Sequence, residues 1–399
     1  MPDTPAADAR QAGYQASLGI VLREWGRIGC VGFGGPPSHI ALLRKLCGER
    51  EGWLDAQEFE DAIAACNLLP GPASTELAIF CAWRVRGRLG ALAGGAAFIV
   101  PGLILILALS VLFLAGTPPR WVSGAGAGAG AAVAAVAVQA AWSLLVPSWK
   151  RAIGQAGRSR RVRWGLYLVA GGASAATIGP WLVLVLLGCG AIELAAQHAG
   201  QDARAHGILA APLLASGALA SGVLLTVAWV AFKVGALSYG GGFVIIPLMQ
   251  SDAVNHYHWM TSAEFLNAVA LGQVTPGPVV QTVAVVGYAA AGLVGGLFAS
   301  LVAFSPSFAF ILFGASRFDR IRDNRHAQGF LAGAGPAAIG AILGSAIPLA
   351  RALTQPWQYA VLAAALILLL ALRRGVVLTL VSAGVVGTVI AVAGGPLPH

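Results

Sequence analysis

The chain has 399 residues, of which 57% are hydrophobic and only 10% are charged, and its mean hydropathy is +0.77. Many apolar runs are long enough to cross about 30 Å of hydrocarbon, so the composition indicates a polytopic membrane protein. The 25 Lys and Arg residues outnumber the 16 Asp and Glu residues, but they lie in short loops, which fits membrane topology and argues against nucleic-acid binding. The five cysteines have no CxxC spacing, so no metal, disulfide framework or cofactor is predicted.

The first membrane segments are interrupted by glycine and proline. Residues 1–16 form a polar tail without the features of a signal peptide. The apolar segment that follows meets residues 32–37 (GFGGPP), where a helix should stop or bend. After a polar loop, we interpret residues 58–83 as one membrane segment that Pro70-Gly71-Pro72 breaks in mid-membrane, because proline lacks an N–H and clashes with the preceding helical turn.

Basic loops separate the next segments. A loop at residues 84–88 precedes a span at residues 89–115, which is interrupted at Pro101. Residues 121–146 are rich in Gly and Ala, which predicts close helix contact, with a disordered linker as the alternative. The loop at residues 150–163 is the most basic of the chain and should be cytoplasmic. Residues 164–197 fit either two short spans or one span and a re-entrant piece.

The second half follows the same plan. An apolar stretch from about residue 211 contains Lys233 and the run Ser238-Tyr239-Gly240-Gly241-Gly242. A segment at residues 262–290 carries the second break, Pro276-Gly277-Pro278, and a span at residues 292–315 follows. After a basic loop, three spans are predicted near residues 328–350, 357–372 and 375–395.

These similarities are an internal repeat. An ungapped shift of 206 residues superposes Gly34-Gly35 on Gly240-Gly241, Trp53 on Trp259, Glu58-Phe59 on Glu264-Phe265 and Pro70-Gly71-Pro72 on Pro276-Gly277-Pro278. We therefore divide the chain into a polar tail (1–16), a first membrane repeat (17–198), a linker (199–210) and a second membrane repeat (211–399).

Loop charge favours an inverted orientation of the two repeats. Only inversion places the basic residues at 317–325 and 373–374 on the same side as those of the first half. The predicted fold class is an all-α polytopic membrane protein made of two homologous halves, with about 10–13 membrane segments and broken helices.

The paired motifs resemble the chromate ion transporter family, long-chain type. The resemblance covers nearly the whole chain and is carried by Gly32-Phe33-Gly34-Gly35-Pro36, Trp53-Leu54, Glu58-Phe59, Leu68-Leu69-Pro70-Gly71-Pro72, Ser238-Tyr239-Gly240-Gly241-Gly242, Trp259, Glu264-Phe265-Leu266 and Gly272-Gln273-Val274-Thr275-Pro276-Gly277-Pro278. It implies a secondary transporter that exports chromate across the bacterial inner membrane, driven by the proton gradient or the membrane potential. Gly32, Asn67 and Glu76 depart from the family's usual residues. An anion channel, or a transporter of sulfate or another oxyanion, is the alternative.

A tetrahedral dianion needs clustered donors, and helix N-termini after the breaks supply free N–H groups. The predicted substrate-binding residues are Gly34, Gly35, Asn67, Pro70, Gly71, Pro72, Ser74, Thr75, Lys233, Tyr239, Gly240, Gly241, Gly242, Gln273, Thr275, Pro276, Gly277 and Pro278. As alternatives, both breaks serve only helix packing, and Lys233 extends to the membrane interface.

Glu76, one helical turn after the first break, is the predicted coupling residue, with a capping or hydrogen-bonding role as the alternative. Glu58 and Glu264 fit capping boxes with Asp55 and Thr261 instead. None of the three lysines ends a Walker A pattern, and neither a nucleophile with its base nor HExxH is present, so the chain alone is predicted to be neither an ATP-driven pump nor an enzyme. The lipid bilayer and the oxyanion are the expected partners, and a homodimer is left open.

Overall fold

The structure is a computed structural model that describes residues 16–67, 69, 71–114, 116, 118–154, 158–177, 182–198, 222–238, 243–315 and 324–398. Within these ranges the chain forms helices and no strands. The predicted all-α fold class is therefore confirmed. The predicted linker and the tail, apart from Ala16, lie outside the described residues.

The first break reverses the chain after helix α1 (Leu18–Val31). Gly34 and Gly35 have positive φ angles of 94° and 74°, which favour glycine, and α2 (Pro36–Arg44) begins directly after them. A π-helical turn (Lys45–Arg50) continues α2, and Arg50 at its end pairs with Glu24 of α1 at 2.8 Å. The segment after the break thus folds back towards α1.

The first Pro-Gly-Pro break joins two helices that run in opposite directions. Glu58, near the start of α3 (Ala56–Cys66), pairs with Arg84 of α4 (Ala73–Phe113). At 1.5 Å per residue, α3 and residues 73–85 of α4 are each only about 17–20 Å long. The prediction of one broken span at residues 58–83 is therefore wrong, because the chain turns back at the break and forms a re-entrant hairpin.

Helix α4 has two arms, residues 73–85 and 88–113, which pack side by side. The break between them lies at Arg86 and Gly87, where Gly87 has φ +60°. A Cβ atom on Gly90 would lie 2.2 Å from the Ala82 carbonyl oxygen, so the arms touch and run antiparallel. The predicted interruption at Pro101 is wrong, because the second arm stays helical through this proline and the chain breaks at Arg86 and Gly87 instead.

The first half closes with α5 (Arg120–Ala131), α6 (Val133–Gly154), α7 (Arg158–Thr177) and α8 (Leu182–His198). Residues 164–197 thus lie in two helices, α7 and α8. The second half comprises α9 (Val223–Ala236), α10 (Ile245–Gln250) with a π-helical turn (Ser251–His256), α11 (Ser262–Val274), a 3-10 turn (Val279–Gln281), α12 (Thr282–Gly314), α13 (Arg325–Arg351), α14 (Pro356–Leu366) with a π-helical turn (Ile367–Ala371), and α15 (Val376–Val392).

The second half repeats the first in local detail. The helix caps Asp55 and Thr261 have the same dihedral angles, φ −75° and ψ 166°. Of these two caps, only Thr261 forms a full capping box, with Glu264, because Glu58 pairs with Arg84 instead. Helix α12 breaks at Ala291 and Gly292 as α4 does one repeat earlier, and its arms are residues 282–290 and 293–314.

The equivalent second arms of α4 and α12 run antiparallel. A Cβ on Gly95 would lie 2.5 Å from the Phe308 ring, and a Cβ on Gly296 would lie 2.5 Å from Leu107. Residues near the start of one arm therefore contact residues near the end of the other arm. Antiparallel packing of equivalent helices is the arrangement of an inverted repeat.

Glycines also allow helices of the two halves to pack closely against each other. A Cβ on Gly124 of α5 would lie 2.4 Å from the Gly387 carbonyl oxygen of α15. A Cβ on Gly171 of α7 would lie 1.9 Å from the Ala337 carbonyl oxygen of α13, and α8 packs on the same helix. The predicted close contact of the Gly/Ala-rich segment is thus confirmed, because these glycines let helix backbones touch.

Among the residues that the structure describes, four helical stretches are long and apolar enough to cross a membrane, namely Ala73–Phe113, Arg120–Gly154, Val279–Gly314 and Arg325–Arg351. The first and third contain the breaks described above, so only their second arms can span. Arg151, Arg160 and Arg325 line one cavity together with Glu60 of α3, which places the basic ends of these helices on one face of the molecule.

Candidate functional site

Each Pro-Gly-Pro tip contacts the residue that follows a helical proline, Pro306 or Pro101, in the other half. A Cβ on Gly71 would lie 3.0 Å from the Ser307 hydroxyl oxygen, next to Pro306 of α12. In the equivalent contact, a Cβ on Gly277 would lie 3.9 Å from the Cα of Gly102, next to Pro101 of α4. Each tip therefore lies against the second helical arm of the opposite half.

The first glycine break joins this arrangement through the Gly32 carbonyl group. This oxygen accepts a hydrogen bond from the Gly277 backbone N–H at 3.1 Å and lies 2.9 Å from Nε2 of the fully buried His39. Because a carbonyl only accepts, we assign the proton to Nε2, so that Nδ1 accepts from the Ser74 hydroxyl at 3.2 Å. A Cβ atom on Gly35 would lie 3.6 Å from the Cγ2 atom of Val279. The break thus touches both tips.

Glu76 is fully buried behind the first tip. Its Oε1 would lie 2.1 Å from a Cβ on Gly71, a position that the Ser307 hydroxyl also approaches. Neither carboxyl oxygen has a hydrogen-bond partner among the described residues. An ionised carboxylate without a partner is costly in a dry interior, whereas a protonated one is much less so. This carboxyl group is therefore suited to exchanging a proton.

Other buried polar atoms near the breaks also lack partners within the described part of the chain. They are Thr75 Oγ1, Ser238 Oγ, Gln273 Nε2, Gln281 Oε1 and Ser307 Oγ. Thr75 and Gln281 occupy equivalent positions of the two repeats, directly after their tips. Because native proteins leave few buried polar groups unpaired, this concentration is characteristic of a site that receives a ligand or water.

A cavity of about 870 Å³ leads to the first tip from the basic face. Asn67, Leu69 and Gly71 line its base. Arginines from three helices line it on the basic face, Arg151 of α6, Arg160 of α7 and Arg325 of α13. A smaller cavity of about 290 Å³ lies at the other ends of α7 and α13, where Thr177, Asn255 and Arg351 are among its lining residues.

Two predicted ligands have other partners in the structure. Lys233 donates to Asp252 at 2.6 Å and lies 5.5 Å from the Trp229 ring centroid, so its charge is compensated by a carboxylate. The Thr275 hydroxyl donates to the Leu271 carbonyl at 2.8 Å, within its own helix. The Thr275 hydroxyl therefore has no further donor, and the charge of Lys233 is already balanced by Asp252. The sequence motif did not reveal either partner.

The backbone donors after the tips are only partly available. The amide of Thr75 donates to the Pro72 carbonyl at 2.8 Å, and the amide of Gln281 donates to the Pro278 carbonyl at 2.9 Å. Ala73, Ser74, Val279 and Val280 begin their helical turns, where N–H groups have no partner within the helix. Pro70, Tyr239, Gly240, Gly241 and Gly242 lie outside the described residues.

Sequence reasoning assigned no role to several residues of this arrangement. His39 stands in the motif after the first break, but its two hydrogen bonds depend on tertiary contacts. Ser307 follows Pro306 as Gly102 follows Pro101, so extending the repeat with a shift of 205 residues would have identified it. The cavity arginines belong to the basic loops at residues 150–163 and 317–325, which the sequence indicated only as a topology signal.

A family model described as chromate transporter matches residues 20–194 and 225–388, one region in each half. The chain belongs to this family. The two matched regions correspond to the two repeats of the structure, and the chain is accordingly a multi-pass membrane protein of a transporter family. Within the described residues, no group of three or more metal-ligating side chains is present.

Full-length relatives carry names in agreement with the family. The chromate transport protein of Cupriavidus metallidurans is 29% identical over 88% of this chain and 87% of its own. The chromate transport protein of Pseudomonas aeruginosa is 30% identical over 82% of this chain and 79% of its own. The probable chromate transport protein of Synechococcus elongatus is 26% identical over 84% and 85%, respectively. No solved structure shows significant similarity to the chain.

Proposed function

We propose that this protein is a secondary active transporter that exports chromate across the bacterial inner membrane. The observation that carries the proposal is the reciprocal contact of the two Pro-Gly-Pro tips, each of which lies against a proline-containing helical arm of the opposite half. A site at the contact between inverted halves can be exposed to either side when one half moves against the other. Re-entrant tips also present backbone donors at membrane depth, where a chain otherwise keeps them paired.

The anion is proposed to bind between the tips. Backbone N–H groups of Ala73, Ser74, Val279 and Val280 would be its donors, together with the buried amide of Gln273 and the hydroxyl of Thr75. Backbone and neutral side-chain donors suit a tetrahedral dianion by shape and charge. Sulfate has the same shape and charge, so we expect it to compete with chromate.

Coupling is proposed to involve Glu76. Its ionised form would repel a dianion at the neighbouring tip, whereas its protonated form would not. Anion binding and the proton on Glu76 are therefore linked. Because the proton and the anion then move together, an inside-negative membrane potential favours export of the dianion, whereas an inward proton gradient opposes it.

Reconstitution into proteoliposomes tests the proposal against an anion channel. A transporter should show chromate flux that saturates with concentration and responds to an imposed pH gradient or membrane potential. A channel should show ohmic conductance in planar bilayers. Conductance without saturation would show that the protein is an anion channel of the same fold and not a transporter.

A further inference from the structure

The large cavity on the basic face has an unusual charge balance. Its acidic lining residues are Glu60 and Glu193. Glu60 pairs with Arg44 at 2.5 Å, and Glu193, which is almost fully buried, accepts from Arg163 Nε at 2.7 Å. Both carboxylates are thus neutralised by arginines outside the lining set.

The three lining arginines keep their charge uncompensated. Arg151, Arg160 and Arg325 form no salt bridge with any residue that the structure describes. A cleft with charge of one sign and walls of low dielectric constant focuses the field and raises the local concentration of counter-ions. Guanidinium groups also match the geometry of oxyanions.

Membrane topology alone explains basic residues on this face but not their position in the cavity. Arg158 and Arg161 belong to the same loop as Arg160 and would serve the positive-inside rule equally well, yet they do not line the cavity. The three lining arginines are therefore distinguished by their position in the cavity, and Arg158 and Arg161 provide matched controls.

We propose that this cavity is an anion-collecting vestibule for tetrahedral divalent oxyanions, in which Arg151, Arg160 and Arg325 concentrate the anion and deliver it to Asn67 and Gly71. This inference rests on the proposed function. The volume of about 870 Å³ far exceeds that of one such anion, so the arginines act by attraction at a distance and not by enclosing the ligand. Their loss should weaken capture without slowing the transport step.

Initial rates of chromate uptake into everted vesicles at low ionic strength test the vestibule. Each of Arg160→Gln and Arg325→Gln should raise KM by roughly threefold or more and leave the maximal rate unchanged. The matched controls Arg158→Gln and Arg161→Gln should keep the wild-type KM. Added salt should raise the wild-type KM towards that of the variants, because it screens the arginines. Equal KM values for lining and control variants would overturn the vestibule.

A second measurement does not depend on the transported substrate. In a background with Cys30 and Cys66 replaced by alanine, Ala64→Cys places a thiol in the cavity, and Asn255→Cys places one in the opposite cavity. Anionic methanethiosulfonate reagents should react faster than cationic ones at residue 64. Combined Arg160→Gln and Arg325→Gln changes should lower that preference at residue 64 alone.

The two measurements separate the two hypotheses. If the wild type transports no oxyanion, the proposed function is refuted. If the arginine variants nevertheless lose the preference of residue 64 for anionic reagents, an anion-attracting cavity is still supported. Unchanged preference at residue 64 would overturn the vestibule, whether or not chromate is transported.

Discussion

Gly102 of α4 lies against the backbone carbonyl of Pro276, and a Cβ atom on this glycine would stand 2.3 Å from that oxygen. The contact joins the residue after Pro101 in the first half to the Pro-Gly-Pro tip of the second half. Its counterpart joins Gly71 to Ser307. Because the pair of contacts is reciprocal, a displacement of one tip is expected to disturb the shared site.

Gly102→Ala should reduce transport strongly. The added methyl group would overlap the Pro276 carbonyl and push the second tip away from the Gly32 carbonyl that it contacts. Chromate flux and thermal stability of the purified protein are the measurements. Gly188→Ala is the control, because a Cβ there meets no atom within 4 Å. Wild-type flux from an inserted Gly102→Ala protein would remove the contact between Gly102 and the second tip from the mechanism.

Glu76→Gln should remove the response of chromate flux to a pH gradient. The amide keeps the size of the side chain but cannot release a proton, so chromate exchange at equal pH and potential-driven flux should remain. Flux under an imposed pH gradient and under an imposed potential checks this. Glu58→Gln, which changes a surface pair with Arg84, should respond as the wild type does. An unaltered pH response of Glu76→Gln contradicts the coupling role.

Gly171→Ala should lower stability by about 1–3 kcal/mol, because its Cβ would overlap the Ala337 carbonyl between α7 and α13. Gly165 lies in the same helix, and a Cβ there meets nothing within 4 Å. Gly165→Ala should therefore be neutral or slightly stabilising. Thermal unfolding in detergent compares the two variants. Equal unfolding temperatures would show that the close contact between α7 and α13 is not required.

Cysteines at Arg86, Ser159 and Asn324 should all be labelled from the cytoplasm by a membrane-impermeant reagent. Ser159 and Asn324 precede the cavity arginines Arg160 and Arg325, and Arg86 lies at the break of α4, next to the end of the arm that pairs with α3. Thr177 and Asn255 line the smaller cavity at the opposite ends. Cysteines at Thr177 and Asn255 should be labelled from the other side. Labelling of Asn324→Cys from outside, while Ser159→Cys is labelled from inside, would refute the inverted arrangement.

Much of the fold could be predicted because its main signals are local. Proline and glycine disrupt helices wherever they stand, so the breaks and their duplication were readable at Pro70 and Pro276. The reversal of the chain at the first break was not, because it is revealed by the ion pair between Glu58 and Arg84 at the far ends of the two helices. A broken span and a hairpin tip have the same local sequence.

The candidate site was less predictable because its residues meet only after folding. Lys233 lies in an apolar run and suggested an anion ligand, but its partner Asp252 is supplied by the next helical segment. In the first half, the position equivalent to Asp252 is Leu46, so the repeat did not indicate this ion pair. His39 and Ser307 are placed by contacts between elements far apart in sequence.

Chromate accumulation in everted membrane vesicles tests the central claim most directly. Vesicles that contain the wild-type protein should accumulate chromate above the level of vesicles without it, with saturation, and sulfate should compete. The Gly102→Ala protein, inserted at equal level, should accumulate much less. If wild-type vesicles neither accumulate chromate nor show competition between the two oxyanions, the assignment of this protein as an oxyanion exporter is contradicted.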